Sequence, residues 1–128
     1  MLTFLVDTTV LADHQRGRAD ATLFLKRTGI VLSYVTMYEM LVGAKNKLVM
    51  QDTVRIMSAF EIDWGSESIG KLAMAILRDY RLKIGIGIYD SILAATAVEQ
   101  KLILVTDNVK HFRGIEGLRV KKLSEVVK

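Results

Sequence analysis

The chain has 128 residues, 51% of them apolar and 25% charged, with no Cys and only two His. That size and composition give a single folded domain over residues 1–128 and exclude a disordered chain, while the residue counts exclude disulfides, thiol nucleophiles, thiolate zinc sites and a histidine-rich metal centre. Eighteen Lys and Arg against 14 Asp and Glu leave a net charge of +4, so gathering several acids in one place leaves a basic remainder suited to a polyanion such as RNA.

In chain order, Leu2–Asp7 reads as a buried strand, a short apolar run closed by a helix-start residue. No apolar run reaches the ~20 residues that span a bilayer. Asp7 also interrupts the opening run too early for a signal peptide, so no membrane association and a cytoplasmic location are expected. Val10–Gln15 and Ala19–Arg27 read as short helices, with Gly29 as a C-cap before a strand over Ile30–Tyr34. Thr36 opens a helix carrying Met37, Met40, Leu41 and Ala44 and ending near Lys47, and Leu48–Phe60 is helical in turn. Glu61–Asp63 is a short third strand. Ser66–Leu82 is a long amphipathic helix with Ile69, Leu72, Ala73, Ile76, Leu77 and Tyr80 on one face. Gly85 and Gly87 mark a loop before an alanine-rich helix over Asp90–Gln100. Leu102–Thr106 is a fourth strand and Leu118–Lys121 a candidate fifth. Strands alternating with helices predict an α/β fold: a doubly wound parallel sheet of four or five strands with helices on both faces.

Four carboxylates, Asp7, Glu39, Asp90 and Asp107, stand where a strand ends or a helix begins. In an open parallel sheet those places share one edge, where ligands bind, so residues far apart in sequence can converge there. Each acid alone has a plainer explanation. Asp7 could N-cap a helix, Glu39 stands three residues after Thr36 as in a capping box, Asp90 could face a helix dipole, and Asp107-Asn108 could be turn chemistry. Together they point elsewhere. Two carboxylates ~4 Å apart repel by roughly 4 kcal/mol at an effective dielectric of 20. A cluster of them therefore needs a cation, a proton or a basic partner, and oxygen ligands suit a hard divalent ion. Gathered at one edge, these acids predict a metal-dependent nuclease.

The segments Phe4–Leu11, Ser33–Ala44, Asp90–Ala97 and Leu104–Phe112 carry a resemblance. In this order and spacing the chain resembles PIN-domain ribonucleases, and more narrowly the VapC toxins of toxin–antitoxin pairs, from Leu2 to about Val120. The resemblance implies a PIN-like fold and a hydrolase that uses Mg²⁺ or Mn²⁺ to cut single-stranded RNA. Asp7 and Asp90 match the family's principal metal carboxylates, Glu39 its third acid, and Thr9 the supporting hydroxyl. The fourth position falls on Asp107 or Asn108. A cognate VapB-type antitoxin is the implied partner, with a homodimer of the toxin assembling into a heterotetramer or larger complex.

Arg16, Arg18, Lys45, Lys47, Lys110 and Arg113 flank the acids and are candidates to grip an RNA backbone, against the plain alternative of a solvated surface. His111 reads as a loop residue near the sheet edge, with a catalytic role as the less favoured alternative, and Phe112 as a core anchor. Gly85-Ile86-Gly87 lacks the rest of a phosphate-binding fingerprint and reads as a flexible helix entry. The Leu48–Met57 and Ile69–Tyr80 segments are mainly core, with an apolar edge available to a second copy or an antitoxin. Two other functions remain open. A phosphoacceptor receiver domain would use Asp63 at the end of the third strand, and a catalytically silent PIN domain would serve as a binding module.

Overall fold

The computed structural model describes residues 1–127. Five strands form one parallel sheet in the order β3-β2-β1-β4-β5: β1 Phe4–Val6, β2 Ile30–Ser33, β3 Glu61–Asp63, β4 Ile103–Val105 and β5 Arg119–Lys121. The connections are helices α1 (Thr8–Gln15), α2 (Ala19–Leu25), α3 (Tyr34–Val42), α4 (Lys47–Ser58), α5 (Glu67–Ile84) and α6 (Ile88–Glu99), a 3₁₀ turn over Val109–Phe112, and a final helix α7 (Leu123–Val126).

The central strand is buried on both faces, which is why its sequence is a continuous apolar run rather than an alternation. Successive side chains still serve opposite layers. Phe4 and Val6 pack with Val10, Leu11, Phe24 and Leu123 on one side, and Leu5 packs with Ile69, Ile76, Leu93 and Phe112 on the other. Helices α1, α2 and α7 thus cover one face, and α5 and α6 the other. Phe112 is fully enclosed in the second layer, as its sequence position predicts.

The strand order creates the feature that matters. From β1 the chain runs outward through β2 and β3, then returns to place β4 on the other side of β1. The connections leaving β1 and β4 therefore diverge, opening a crevice at their carboxyl ends. Val6 is in register with Val105, so Asp7 and Thr106, the next residue on each strand, stand side by side.

Several local expectations change. Helix α2 ends at Leu25 with Lys26 as its C-cap, so Gly29 is not a cap. It has φ +83°, and a Cβ there would meet the Met1 carbonyl oxygen at 2.8 Å. Its carbonyl accepts the backbone N–H groups of Thr3 and Phe4. The glycine lets two chain segments approach at the entrance to β1 and β2. Helices α3 and α6 each begin two residues earlier than the sequence pattern suggests, capped by Ser33 and Gly87. The 3₁₀ turn and α7 go unseen in sequence because four residues are too few to display a period. Strand β3 lies at the sheet edge. The receiver-type order, 2-1-3-4-5, instead places the third strand centrally. Here Asp63 is away from the crevice and accepts the Gly65 N–H in a turn, which removes the phosphoacceptor reading.

Candidate active site

Asp7, Glu39 and Asp90 line one cleft of about 500 Å³ at the crevice. Asp7 arrives there because β1 ends at Val6, and it N-caps α1, its Oδ1 accepting the Thr8 N–H at 2.7 Å. Capping does not keep Asp7 out of the acid-lined cleft. The other oxygen, Oδ2, accepts the Thr106 hydroxyl at 2.6 Å and the Thr9 hydroxyl at 3.3 Å. Thr9 Oγ1 in turn accepts the Asp107 N–H, and Thr106 Oγ1 the Asn108 N–H, which ties the loop after β4 to the start of α1.

Glu39 projects from the middle of α3, where its Oε1 accepts the Thr8 hydroxyl at 2.9 Å. The capping-box explanation for it does not hold: Ser33 caps α3, its Oγ accepting the Val35 N–H, and Thr36 lies wholly buried inside the helix with its hydroxyl unpartnered among the described residues. Asp90 sits in the first turn of α6, with His111 Nδ1 4.0 Å from its Oδ2.

The electrostatics mark the three acids as one group. Burial raises the Asp7 carboxyl above its ordinary value, against the lowering effect of its three hydrogen bonds. Glu39 is raised by burial first and by the charge of Asp7, with Thr8 opposing. Asp90 is pushed up to about 6, by burial and then by the charges of Asp7 and Glu39, with His111 opposing. A helix start favours the anionic form, so for Asp90 burial and like charge outweigh the dipole.

Asp107 lines the same cleft but belongs to a second group. It is pushed up to about 6, first by hydrogen bonding with Asp13 and then by burial. Arg18 stands among these acids, 2.8 Å from Asp13, 2.8 Å from Asp20 and 3.5 Å from Asp107. Arg18 is therefore engaged by protein carboxylates rather than presented freely. Arg16 lines the cleft, while Lys110 and Arg113 line an adjoining one. Lys45 and Lys47 fall at the α3–α4 connection and line neither. Asn108 borders both clefts.

Oxygen donors alone, mutually repelling and raised by burial, are the donor chemistry of a hard divalent ion. The side chains are not drawn into a ligand set: among the described residues no three Asp, Glu or His groups are gathered closely enough to hold a metal as they stand. Carboxylates that repel one another spread apart in the absence of a cation.

Sequence reasoning missed Thr8, Thr106 and Asp13. The signal for the first two was adjacency, since each hydroxyl sits beside an acid at a strand end; Asp13 offered none. His111, which the sequence reads as a loop residue near the sheet edge, is brought 4.0 Å from Asp90 by the fold alone. A larger, apolar cleft of about 610 Å³, bordered by Tyr34, Trp64, Met74 and Ile88, has no acid, His, Lys or Arg in its lining and is not the site of this chemistry.

Thr106→Val keeps the side-chain shape and removes the donor nearest Asp7. It is expected to lower stability by about 1–3 kcal/mol, the usual effect of losing a hydrogen bond to a charged group. Urea unfolding with EDTA present, at neutral pH, checks this.

The PIN domain family model matches residues 4–117. The chain is 34% identical over 122 residues to Ribonuclease VapC10 of Mycobacterium tuberculosis, covering 90% of each. To Ribonuclease VapC1 of Rickettsia felis it is 26% identical, covering 94% of this chain and 96% of that one. Among solved structures, a chain of a toxin–antitoxin complex from Klebsiella pneumoniae superposes with a TM-score of 0.79 at 32% identity, covering 94% of this chain and 98% of that one.

Proposed function

This chain belongs to the PIN domain family, and on that premise we propose that it is a divalent-metal-dependent endoribonuclease, cutting single-stranded RNA as the toxin of a toxin–antitoxin pair. The observation that carries the reading is the convergence of Asp7, Glu39 and Asp90, from three separate elements, on one cleft where the charge of Asp7 raises both Glu39 and Asp90 and that of Glu39 raises Asp90 further. Its relatives named as VapC ribonucleases support the same reaction class.

Asp7, Glu39 and Asp90 would hold Mg²⁺ or Mn²⁺. When bound, such an ion lowers the pKa of an attacking water and offsets charge developing on the phosphate. The chain's own contribution is positional. Hydroxyls of Thr9 and Thr106 fix one oxygen of Asp7, and that of Thr8 fixes Glu39. Lys110 and Arg113 beside the cleft would meet the incoming backbone, as would Arg16 at the cleft once released from Asp13, 3.2 Å away. Attack by water leaves 5′-phosphate and 3′-hydroxyl ends.

A small antitoxin protein would hold the toxin inactive, with a basic side chain entering the acid cleft in place of the cation. Exposed Trp64, Met74 and Ile88 around the apolar cleft support a contact with a second copy or with that antitoxin, in a heterotetramer or larger assembly. No helix among the described residues is long and apolar enough to cross a membrane.

Purified protein is expected to cleave single-stranded RNA with Mg²⁺ or Mn²⁺ and to stop with EDTA, the product ends being read by susceptibility to 5′-phosphate-dependent exonuclease. Expression alone should arrest growth, and co-expression of the cognate antitoxin should relieve it. Cleavage without toxicity would leave an RNA-processing enzyme, and intact RNA under all conditions would leave a silent binding module.

A further inference from the structure

The acid cleft has a neighbour of opposite character. A second cleft, of about 340 Å³, is bordered by Lys110, Arg113 and Lys122, and it shares Asp107, Asn108 and His111 with the first. The three cations come from two parts of the chain. Lys110 lies in the 3₁₀ turn and Arg113 follows it directly, and the turn is pinned by the fully enclosed Phe112 between them. Lys122 follows β5 directly, and the carbonyl of the preceding Lys121 accepts the Thr106 N–H, so this segment joins the same sheet edge as the acids. All three side chains are exposed, and none pairs with an acid among the described residues.

A polyanion approaching Asp7, Glu39 and Asp90 meets repulsion there, so its affinity has to come from elsewhere on its path. A single strand laid across His111 would place one phosphate at the acids and a neighbouring one against Lys110, Arg113 and Lys122. We infer that this cleft is a phosphate-binding subsite that holds the RNA backbone one linkage or so away from the scissile phosphate. The inference rests on the ribonuclease reading and adds to it a cation set including Lys122, which the sequence did not single out. The cleft takes the phosphate by charge and not by base identity, so it confers register and affinity rather than sequence preference.

The test measures binding separately from cleavage. A 5′-fluorescein-labelled single-stranded RNA is titrated by anisotropy in EDTA over a range of KCl concentrations, using wild type, Lys110→Ala/Arg113→Ala/Lys122→Ala, and a charge-matched control, Lys26→Ala/Lys71→Ala/Lys83→Ala. The cleft variant is expected to bind about tenfold or more weakly at low salt, with a salt slope shallower by about two, as for the loss of three contacts to a single strand. With Mn²⁺, the same variant should raise KM and leave kcat little changed. A methylphosphonate walked along the RNA should weaken wild type at one discrete linkage and leave the cleft variant indifferent there. Equal losses in the cleft variant and the control, or a methylphosphonate effect that is the same in both proteins at every linkage, would overturn the subsite while leaving metal-dependent cleavage intact. Wild type that binds no RNA would overturn both readings. Binding intact in every variant, with cleavage absent, would overturn the subsite and the nuclease together.

Discussion

Replacing either Asp7 or Asp90 by Ala is expected to lower RNA cleavage by about 10³-fold or more, the consequence of losing several kcal/mol of cation-mediated charge stabilisation at the phosphate. The two variants differ in what else they disturb. Asp7 caps α1 and receives three hydrogen bonds, so Asp7→Ala also loses a cap, at roughly 1 kcal/mol, and leaves the Thr106 hydroxyl without its acceptor. Among the described residues Asp90 accepts no hydrogen bond, and it is half-buried in the first turn of α6, so Asp90→Ala should retain the fold. Cleavage is followed on a labelled single-stranded RNA with Mn²⁺, and circular dichroism confirms that each variant is folded. Persistent cutting by folded Asp90→Ala, in preparations shown free of other nucleases, would remove Asp90 from the site.

The second large effect is on stability, and its sign separates an acid cluster from a set of helix caps. Asp90→Asn removes one of three mutually repelling charges. In EDTA at pH 7.5 its melting temperature is expected to exceed that of wild type by roughly 3–6 °C, the effect of about 1 kcal/mol in a domain of this size. The full shift of Asp90 would give more, but its carboxyl keeps access to solvent, and screening reduces the gain. The difference should depend on pH. Asp90 titrates at about 6 in the folded chain, against 3.8 ordinarily, so folding favours its protonated form. The stabilising contribution of that proton is fully present below the ordinary value and is lost as pH rises through about 6. The gap between variant and wild type should therefore be widest above pH 7, narrow below about pH 6 and close only towards about pH 4. Adding millimolar Mn²⁺ should reverse the order. Wild type gains stability from a ligand bound only by the folded state, about 2.7 kcal/mol at a hundredfold excess over Kd, while the amide variant gains less. If instead Asp90 only supports the start of α6, the Asn variant will melt lower in EDTA and wild type will ignore Mn²⁺.

The parts of this molecule legible in its sequence are those governed by neighbours a few residues away. Apolar runs gave β1, β2 and β4, the 3.6-residue period gave α5, and the placing of Asp7 at a strand end and Asp90 at a helix start sufficed to predict that they share an edge, whereas Glu39 reaches it from the middle of α3. That inference needs only a parallel sheet, because every parallel strand delivers its carboxyl end to the same side. The resemblance of four segments to PIN-domain ribonucleases then narrowed the reaction class.

Contacts made between distant segments were a different matter. Whether Thr36 or Ser33 caps α3 depends on where β2 stops, and β2 stops where its pairing with β3 at Ser33 and Asp63 ends, some thirty residues further on. Asp107 reads in sequence as a partner of Asp7. The fold turns it towards Asp13 and Arg18, because α1 and α2 deliver those side chains to the same rim. His111 reads as a loop residue until the 3₁₀ turn, held by Phe112 in the core, sets its ring beside Asp90. The cleft of Lys110, Arg113 and Lys122 exists only because β5 pairs with β4. Local propensity and period act over three or four residues and are written in the sequence directly. Strand order and core packing join residues a hundred apart, and they alone decide which of several plausible side chains meet.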